Sequence, residues 1–196
     1  MKFNLSEIND LFRSRRTIYP EDFSERVVHK EQIELILNNA QFAPTHGNTQ
    51  PWRFHVFMKD GKNKLSSFLG KTYLETIPKE KVNDQKLAKL IRRPLLSSVV
   101  IAVSMSRQKE ETILELEEIE AVACAIQNMH LSCTAYGLGG FWSTPKLIYT
   151  QKMNTFLGIK SKDKCLGLFY IGYPKSTWPE VKHRKPLEYN TTWIEA

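Results

Sequence analysis

Apolar side chains in this chain recur with the period of an α-helix over several long stretches. Near the start, Leu5, Ile8, Leu11 and Phe12 fall on one helical face, with Ser6 in the position of an N-cap. Further helices are predicted at residues 30–41, as a pair within 62–93 that separates near Pro78, at 112–136 and at 146–157.

The longest helical pattern, 112–136, carries apolar residues on more than one face. An apolar stripe runs from Ile119 to Tyr136, and small residues widen the surface that neighbours can contact. This pattern is typical of a central helix packed by several elements, or of a helix at a subunit interface. Gly137 is expected to end the helix as its C′ residue. His130 is predicted to be a hydrogen-bonded core or interface histidine rather than a ligand.

Three stretches carry the pattern of β-strands. Phe54, Val56 and Met58 alternate with polar residues, which predicts a half-buried strand. Residues 97–105, which follow Pro94 at the expected end of the helical pair, are β-branched and nearly free of charge, as in a buried strand. Residues 165–172 are strongly apolar. The irregular mixture of helices and strands, without a repeat or a linker, predicts one α+β domain over residues 1–196.

Composition narrows the function classes only a little. Apolar residues make up 41% and charged residues 25% of the chain, as in ordinary globular proteins. The net charge of +7 is compatible with nucleic-acid binding, but the lysines alternate with acids along helical stretches, which favours solvated helix faces. Such a surface would also attract anionic cofactors. There is no long apolar run and no signal-peptide core, so we expect a cytoplasmic protein without a membrane partner.

Cysteine and histidine provide no sign of a metal site. The three cysteines, at unrelated spacings in apolar surroundings, are typical of buried free thiols. No cluster of cysteine and histidine has the spacing of metal ligands.

The most unusual polar stretch is residues 42–54. Two prolines restrict its backbone while Gly47 frees it in the middle. Between the prolines lie side chains that donate and accept hydrogen bonds, namely Thr45, His46, Asn48 and Gln50. A planar ligand with polar edges would need such a loop.

Three other segments are candidates for anion or ligand contacts. Arg15-Arg16-Thr17 suits a phosphate, although cations that complement a helix C-terminus are an alternative. Residues 137–145 contain three glycines, which either bring backbone N–H donors close to a ligand or form a tight turn at a strand. The glycine spacing is not that of a Rossmann fingerprint. The basic segment 178–189 is by itself typical of a solvated tail, but Trp178 and Tyr189 indicate that it packs on another surface.

Together these segments resemble the FMN-dependent nitroreductase family over essentially the whole chain. The shared features are an arginine pair with a hydroxyl after the first helix, an N-x-QPW-x-F loop, a GLG-x-x-W turn, an IGYP strand end and a K-x-R-x-P-L tail. The resemblance implies a mixed, mainly antiparallel sheet flanked by helices. It also implies a homodimer in which the long helix 112–136 forms much of the interface and FMN lies between the subunits.

The resemblance assigns FMN contacts to individual positions. Arg15, Arg16 and Thr17 correspond to the segment at the FMN phosphate and the adjoining flavin edge. Asn48 and Gln50 correspond to residues near the isoalloxazine and ribityl groups, and His46 to a contact used in the short relatives. The remaining implied contacts are Phe141, Trp142 and Ser143 at the flavin ring and Lys182 and Arg184 over the phosphate.

Two positions depart from the family pattern. Many relatives carry Lys or Arg two residues after the hydroxyl of the first motif, near flavin N1 and O2, where this chain has Tyr19. A cation there stabilises the reduced, anionic flavin. Its replacement changes the expected redox potential unless Arg53 or His46 compensates. The usual acidic residue beside the glycine turn is not evident either.

The implied function is a flavin oxidoreductase with a ping-pong cycle. NAD(P)H would deliver hydride to the flavin, and an acceptor such as a nitroaromatic or a quinone would then reoxidise it. The cofactor carries this chemistry, so no side chain is assigned as a catalytic acid or base. The alternatives are another flavin reaction, such as dehalogenation or dehydrogenation, and a flavin-binding protein without turnover. A nucleic-acid binder is the least favoured class.

Overall fold

A four-stranded antiparallel sheet forms the centre of the computed structural model, which describes residues 3–180 and 183–195. The strand order is β1-β2-β4-β3, and each neighbouring pair is antiparallel. The strands are β1 (Trp52–Phe57), β2 (Val99–Met105), β3 (Gly139–Ser143) and β4 (Lys164–Gly172). The predicted α+β class with a mainly antiparallel sheet is confirmed.

Six α-helices within the described residues cover both faces of this sheet. Their bounds are α1 (Leu5–Ser14), α2 (Lys30–Ala40), α3 (Asp60–Thr76), α4 (Asp84–Leu96), α5 (Glu115–Ala135) and α6 (Gln151–Leu157). Helices α2 and α5 pack on one face, and α3, α4 and α6 on the other. Within the described part of the chain, no helix is both long and apolar enough to span a bilayer.

Strand β2 lies inside the sheet and has both of its faces covered. All seven of its residues are buried. Val99, Ile101 and Val103 face the core formed with α2 and α5, whereas Val100 and Ala102 face the opposite core. This arrangement explains why its sequence is an unbroken β-branched run instead of an alternation.

Helix α5 is the central helix of the fold. It contacts α1, α2 and all four strands. Its apolar stripe, with Val122, Ile126 and Met129, is fully or almost fully buried. Gly137 adopts φ of +66° just after the helix end, as expected for a C′ glycine. The helix begins at Glu115, three residues after the predicted start.

Three details of the predicted helices are wrong. The N-cap of α1 is Asn4, whose side chain accepts a hydrogen bond from the Ser6 amide at 3.0 Å, so Ser6 is not the cap. Pro94 lies inside the last turn of α4, which continues to Leu96. The predicted helix 146–157 is divided by extended backbone at Thr150 into a short 3-10 turn and α6.

The glycine-rich segment forms strand β3, which the sequence offered only as the alternative to a ligand-approaching turn. Gly140 pairs with Ile171 of β4. A Cβ on Gly140 would lie 2.8 Å from Cζ of Phe169 and 2.9 Å from Cδ2 of His130. Only glycine therefore allows this strand to lie so close to β4 and α5.

His130 of α5 connects three parts of the fold. Its Nε2 lies 3.0 Å from the carbonyl oxygen of Gly140 and 3.1 Å from that of Arg16. Both oxygens are acceptors, so Nε2 carries a proton and donates to both. The ring is buried and meets Phe169 edge-on. The prediction of a hydrogen-bonded core histidine is confirmed, and we call this arrangement the His130 bridge.

The His130 bridge should make stability depend on pH. Burial, and then the nearby charge of Arg15, lower the pKa of His130 from 6.5 to about 4. The unfolded chain therefore binds this proton more tightly, and stability present above pH 6.5 is lost as the pH falls towards 4. We expect the free energy of unfolding to fall by roughly 2–3 kcal/mol between pH 7 and 4.5 through this group.

Urea unfolding of the wild type and of His130→Gln at both pH values measures this contribution. The advantage in unfolding free energy of the wild type over His130→Gln should be roughly 2–3 kcal/mol smaller at pH 4.5 than at pH 7. His183→Gln, which alters an exposed histidine, should keep the wild-type pH dependence. A difference between wild type and His130→Gln that is the same at both pH values would contradict the assignment.

Candidate functional site

The polar loop between α2 and β1 has an unusual backbone. Asn48 and Gln50 have φ values of +53° and +45°, in the left-handed region that non-glycine residues rarely adopt. The Gln50 side-chain amide donates to Oδ1 of Asn48 at 3.0 Å, and the Gln50 backbone amide donates to Oγ1 of Thr45 at 3.2 Å. These bonds hold the strained turn and keep both amide side chains on its exposed surface.

His46 is fixed to the start of α5. Its Nδ1 lies 2.8 Å from Oε2 of Glu117, and both side chains are partly exposed. The sequence predicts a ligand contact for His46 and gives no sign of Glu117 as its partner. Helical spacing alone could not show this pair, because the two residues are 71 positions apart.

Arg53 supports the same loop. Its Nη1 donates to the carbonyl oxygens of Gln50 and Trp52 at 2.9 and 2.8 Å. Beside it lies an open groove of about 590 Å³ that is lined by Asn48, Gln50 and Arg53 and by the end of α2. This groove places the two predicted amide contacts at one accessible surface.

Arg16 is mainly engaged with the backbone of its own chain. The side chain is buried, its Nε donates to Glu180 O at 2.9 Å, and its Nη1 donates to Arg13 O and Arg15 O at 2.6 Å. These bonds join the end of α1 to the C-terminal segment. Within the described residues, Nη2 of Arg16 is buried without a hydrogen-bond partner.

Arg15 lies next to other cations. Burial, then the charge of Arg16 and then that of Arg184 lower the pKa of Arg15. In residues 3–180 and 183–195, no carboxylate lies within ion-pair distance of Arg15. The end of α1 and the C-terminal segment therefore lie near enough for their arginine charges to interact. The predicted contact Lys182 lies outside the described residues.

The C-terminal segment, which carries Arg184, lies near Arg15 because it docks on the end of α1. The indole Nε1 of Trp178 donates to the carbonyl oxygen of Ser14 at 2.7 Å. Trp178 therefore packs on the protein, as predicted. Tyr189 is exposed in this single chain, and Nζ of Lys185 lies 3.5 Å from the centre of its ring.

Thr17 lies against the edge of β3. It forms a parallel bridge with Gly140, and the amide of Ile18 donates to Gly140 O at 3.2 Å. The His130 bridge joins the same two segments through the carbonyl oxygens of Arg16 and Gly140. Because Thr17 itself is exposed, its hydroxyl is accessible beside the arginines.

The residues of β3 point to opposite faces of the sheet. The Trp142 indole lies over Gly167, where a Cβ would come within 1.9 Å of its Nε1, and it donates to Leu166 O at 3.1 Å. Phe141 packs on the other face against Tyr19 and Tyr170, with ring centroids 4.8 and 5.7 Å away. Ser143 ends the strand and is half-buried.

A cation that the sequence analysis missed lies beside Tyr19. The guanidinium of Arg93 is 5.5 Å from the Tyr19 ring centroid and 4.9 Å from that of Phe141. Its Nε is 2.9 Å from Oε1 of Glu21. Arg93 was not identifiable because it lies within a polar helical stretch that carries other cations.

The predicted contacts form two groups in one chain. The first group lies at the β3 edge of the sheet and consists of Thr17, the arginines 15, 16 and 184, and β3 itself. The second group is the polar loop, which lies at the β1 edge. The two groups are anchored at Glu117 and His130 of α5. The two anchors are thirteen positions apart on the helix, which corresponds to about 20 Å along its axis. Among the described residues, no three His, Cys, Asp or Glu side chains are arranged to hold a metal ion.

Comparison with known proteins agrees with this architecture. A model of the Nitroreductase family matches residues 12–173. YfhC of Bacillus subtilis, whose name proposes an NAD(P)H nitroreductase, is 29% identical over 186 residues, which cover 93% of this chain and 91% of YfhC.

Solved structures share the whole fold. A nitroreductase-like family protein from Bacillus cereus has a TM-score of 0.81 at 25% identity, with 100% of both chains covered. The FMN-dependent nitroreductase NfnB of Mycobacterium smegmatis, solved with NADPH, has a TM-score of 0.77 at 17% identity, with 98% of this chain and 100% of NfnB covered. The chain described here belongs to the Nitroreductase family.

Proposed function

We propose that this protein is an FMN-dependent oxidoreductase that takes hydride from NAD(P)H and reduces small organic acceptors such as nitroaromatics or quinones. The observation that carries the proposal is the arginine cluster beside an exposed hydroxyl. Arg15 is partly buried next to two like charges and has no carboxylate partner among the described residues. A bound phosphate would compensate this concentration of positive charge.

The donor set fits FMN at both of its ends. Arg15, Arg184 and the Thr17 hydroxyl provide cations and a donor for the phosphate. The side chain of Arg16 orders the segment, and its unpaired Nη2 leaves one further donor there. Next to them, the backbone of β3 from Gly140 to Ser143 lies close enough to border a planar ring. When bound, FMN supplies the hydride and electron transfer.

Two solved structures with the same fold contain NADPH or FMN, the molecules that the proposal requires. The NfnB structure contains NADPH and belongs to an FMN-dependent nitroreductase. A structure from Desulfovibrio desulfuricans, at 21% identity and a TM-score of 0.74, is a complex with FMN. These neighbours support the proposal for a chain of the same family.

The residues of this chain would bind and orient the reactants and exclude water. Arg53 and His46 are engaged with loop carbonyls and Glu117, so neither is positioned beside Tyr19 in the same chain. Arg93 is the cation that lies against Tyr19. Its ion pair with Glu21 compensates much of this charge, so Arg93 does not fully replace the missing flavin cation.

We further propose that the complete site contains residues of two subunits. The polar loop and the arginine cluster are anchored about 20 Å apart on α5. Because the two groups also lie at opposite edges of the sheet, this arrangement favours a site that takes them from two chains. A second copy would place its polar loop opposite the arginine cluster and β3 of the first.

Exposed apolar residues support this homodimer. No residue of the amphipathic helix α1 is buried, and Phe12 on it is 56% exposed. Phe42 after α2 is 85% exposed, and Leu116 at the start of α5 is 61% exposed. Apolar side chains concentrated on these neighbouring elements are typical of a surface that a subunit covers.

Purified protein should be yellow, or become yellow with added FMN, and NADH or NADPH should bleach its absorbance under anaerobic conditions. An acceptor should then restore the oxidised spectrum, and initial rates at varied concentrations of both substrates should give the parallel double-reciprocal lines of a ping-pong cycle. A protein that binds no FMN would refute the proposal.

Arg15→Gln and Arg184→Gln should each weaken FMN binding about tenfold, because each removes a charge-assisted hydrogen bond to the phosphate. Titration of apoprotein with FMN, followed by flavin fluorescence, measures this. Arg26→Gln is the control, since Arg26 stacks on Tyr173 and is not among the charges that lower the pKa of Arg15. Unchanged affinity in both cluster variants would argue against the phosphate assignment.

Leu116→Glu should convert the dimer into a monomer and reduce FMN occupancy at the same protein concentration, because a buried unpaired charge opposes association. Light scattering after size exclusion gives the mass, and far-UV circular dichroism reports the fold. Leu74→Glu on α3, also at an exposed leucine, should remain dimeric. If Leu116→Glu stays dimeric, this part of α5 is not in the interface.

A further inference from the structure

A basic groove runs between α4 and β3, next to the proposed flavin site. Lys86, Lys89 and Arg93 follow one another at spacings of three and four residues, so they share one face of α4. The groove holds about 390 Å³. Besides these cations and Leu90, it is lined by Phe141, Trp142, Ser143, Thr144, Pro145 and Tyr170.

One of the three cations is already compensated. Arg93 forms an ion pair with Glu21, and its guanidinium lies against two aromatic rings. Only 18% of its side chain is exposed. These contacts fix Arg93 as part of the wall, and they leave little of its charge for a ligand.

The two lysines are different. In the described parts of the chain, neither Lys86 nor Lys89 forms an ion pair with a carboxylate. Nζ of Lys86 lies 5.7 Å from the centre of the Tyr73 ring, and Lys89 is close enough to Glu21, the partner of Arg93, for their charges to interact. Their ammonium groups therefore make the mouth of the groove positive, while Phe141 and Tyr170 make its wall aromatic.

We propose that this groove binds the acceptor substrate and selects single-ring aromatic acceptors that carry a carboxylate. The inference rests on the proposed function, because β3 is shared between the groove and the flavin site. An aromatic ring at the flavin would extend along Phe141, and a carboxylate on that ring would point towards Lys86 and Lys89. The volume suits one substituted ring.

Binding of an unreactive probe tests this selectivity without turnover. Calorimetric titration of the FMN-loaded protein with benzoate and with neutral benzamide should show tighter binding of benzoate. Lys86→Gln/Lys89→Gln should lower benzoate affinity about three- to tenfold, as expected for two partly exposed ion pairs, and leave benzamide affinity unchanged. Added salt should reduce the wild-type preference.

The matched control is Lys79→Gln/Lys81→Gln, which removes two charges from the turn before α4 and outside the groove. It should keep the wild-type preference for benzoate. Equal affinity of the wild type for benzoate and benzamide would overturn the proposal. A loss of FMN in the groove variant would also overturn it, because the lysines would then hold the cofactor.

Kinetics of the two half-reactions separate the acceptor from the nicotinamide. After anaerobic reduction, reoxidation by 4-nitrobenzoate should slow in the groove variant relative to 4-nitrobenzamide, and reduction by NAD(P)H should keep its rate. If only the reduction step changes, the lysines bind the phosphates of NAD(P)H and the proposal is wrong. Failure of the proposed function is distinct, since protein without FMN would be detected before any ligand is added.

Discussion

The His130 bridge is the contact on which the candidate site depends. One buried N–H donates to Gly140 O and Arg16 O, and so joins the central helix, the edge strand and the turn that carries the arginines. The imidazole must stay neutral in this place, and burial keeps it so. Gly140 must lack a side chain because His130 and Phe169 already occupy the space that a Cβ would need. The position of Arg15 and Thr17 beside β3 follows from these requirements.

Helix α5 relates this bridge to the polar loop. His46 is held by Glu117 near the start of the helix, and His130 lies near its end. The buried stripe between them packs on the sheet, so their separation is a property of a rigid helix rather than of flexible loops. In the proposed homodimer, a site that uses both groups would take them from two chains, and the exposed apolar residues on α1 and α5 lie on the elements that would meet the second chain.

Strong hydrophobic periodicity allowed most of the elements to be predicted from the sequence. The unbroken β-branched run became β2, and the long multi-faced stripe became α5. Predictions failed where a local preference was overridden by packing. Pro94 stays in α4 with its ring buried. For the glycine-rich segment the sequence left a strand and a ligand-approaching turn open, and the strand forms because only glycine fits between its neighbours. At Thr150, extended backbone divides a helical pattern that looked continuous.

The sequence by itself determined the types of groups available: arginines with a hydroxyl after the first helix, amides in a proline-bounded loop, and a glycine-rich segment after the longest helix. Their resemblance to one family pattern was visible at the same level, and the family assignment is confirmed. The tertiary structure alone decided which groups meet. His130 and Arg16 are 114 positions apart, and Arg93 and Glu21 are 72 apart. Local periodicity contains no information about such pairs, because they form only when the strands and helices pack together.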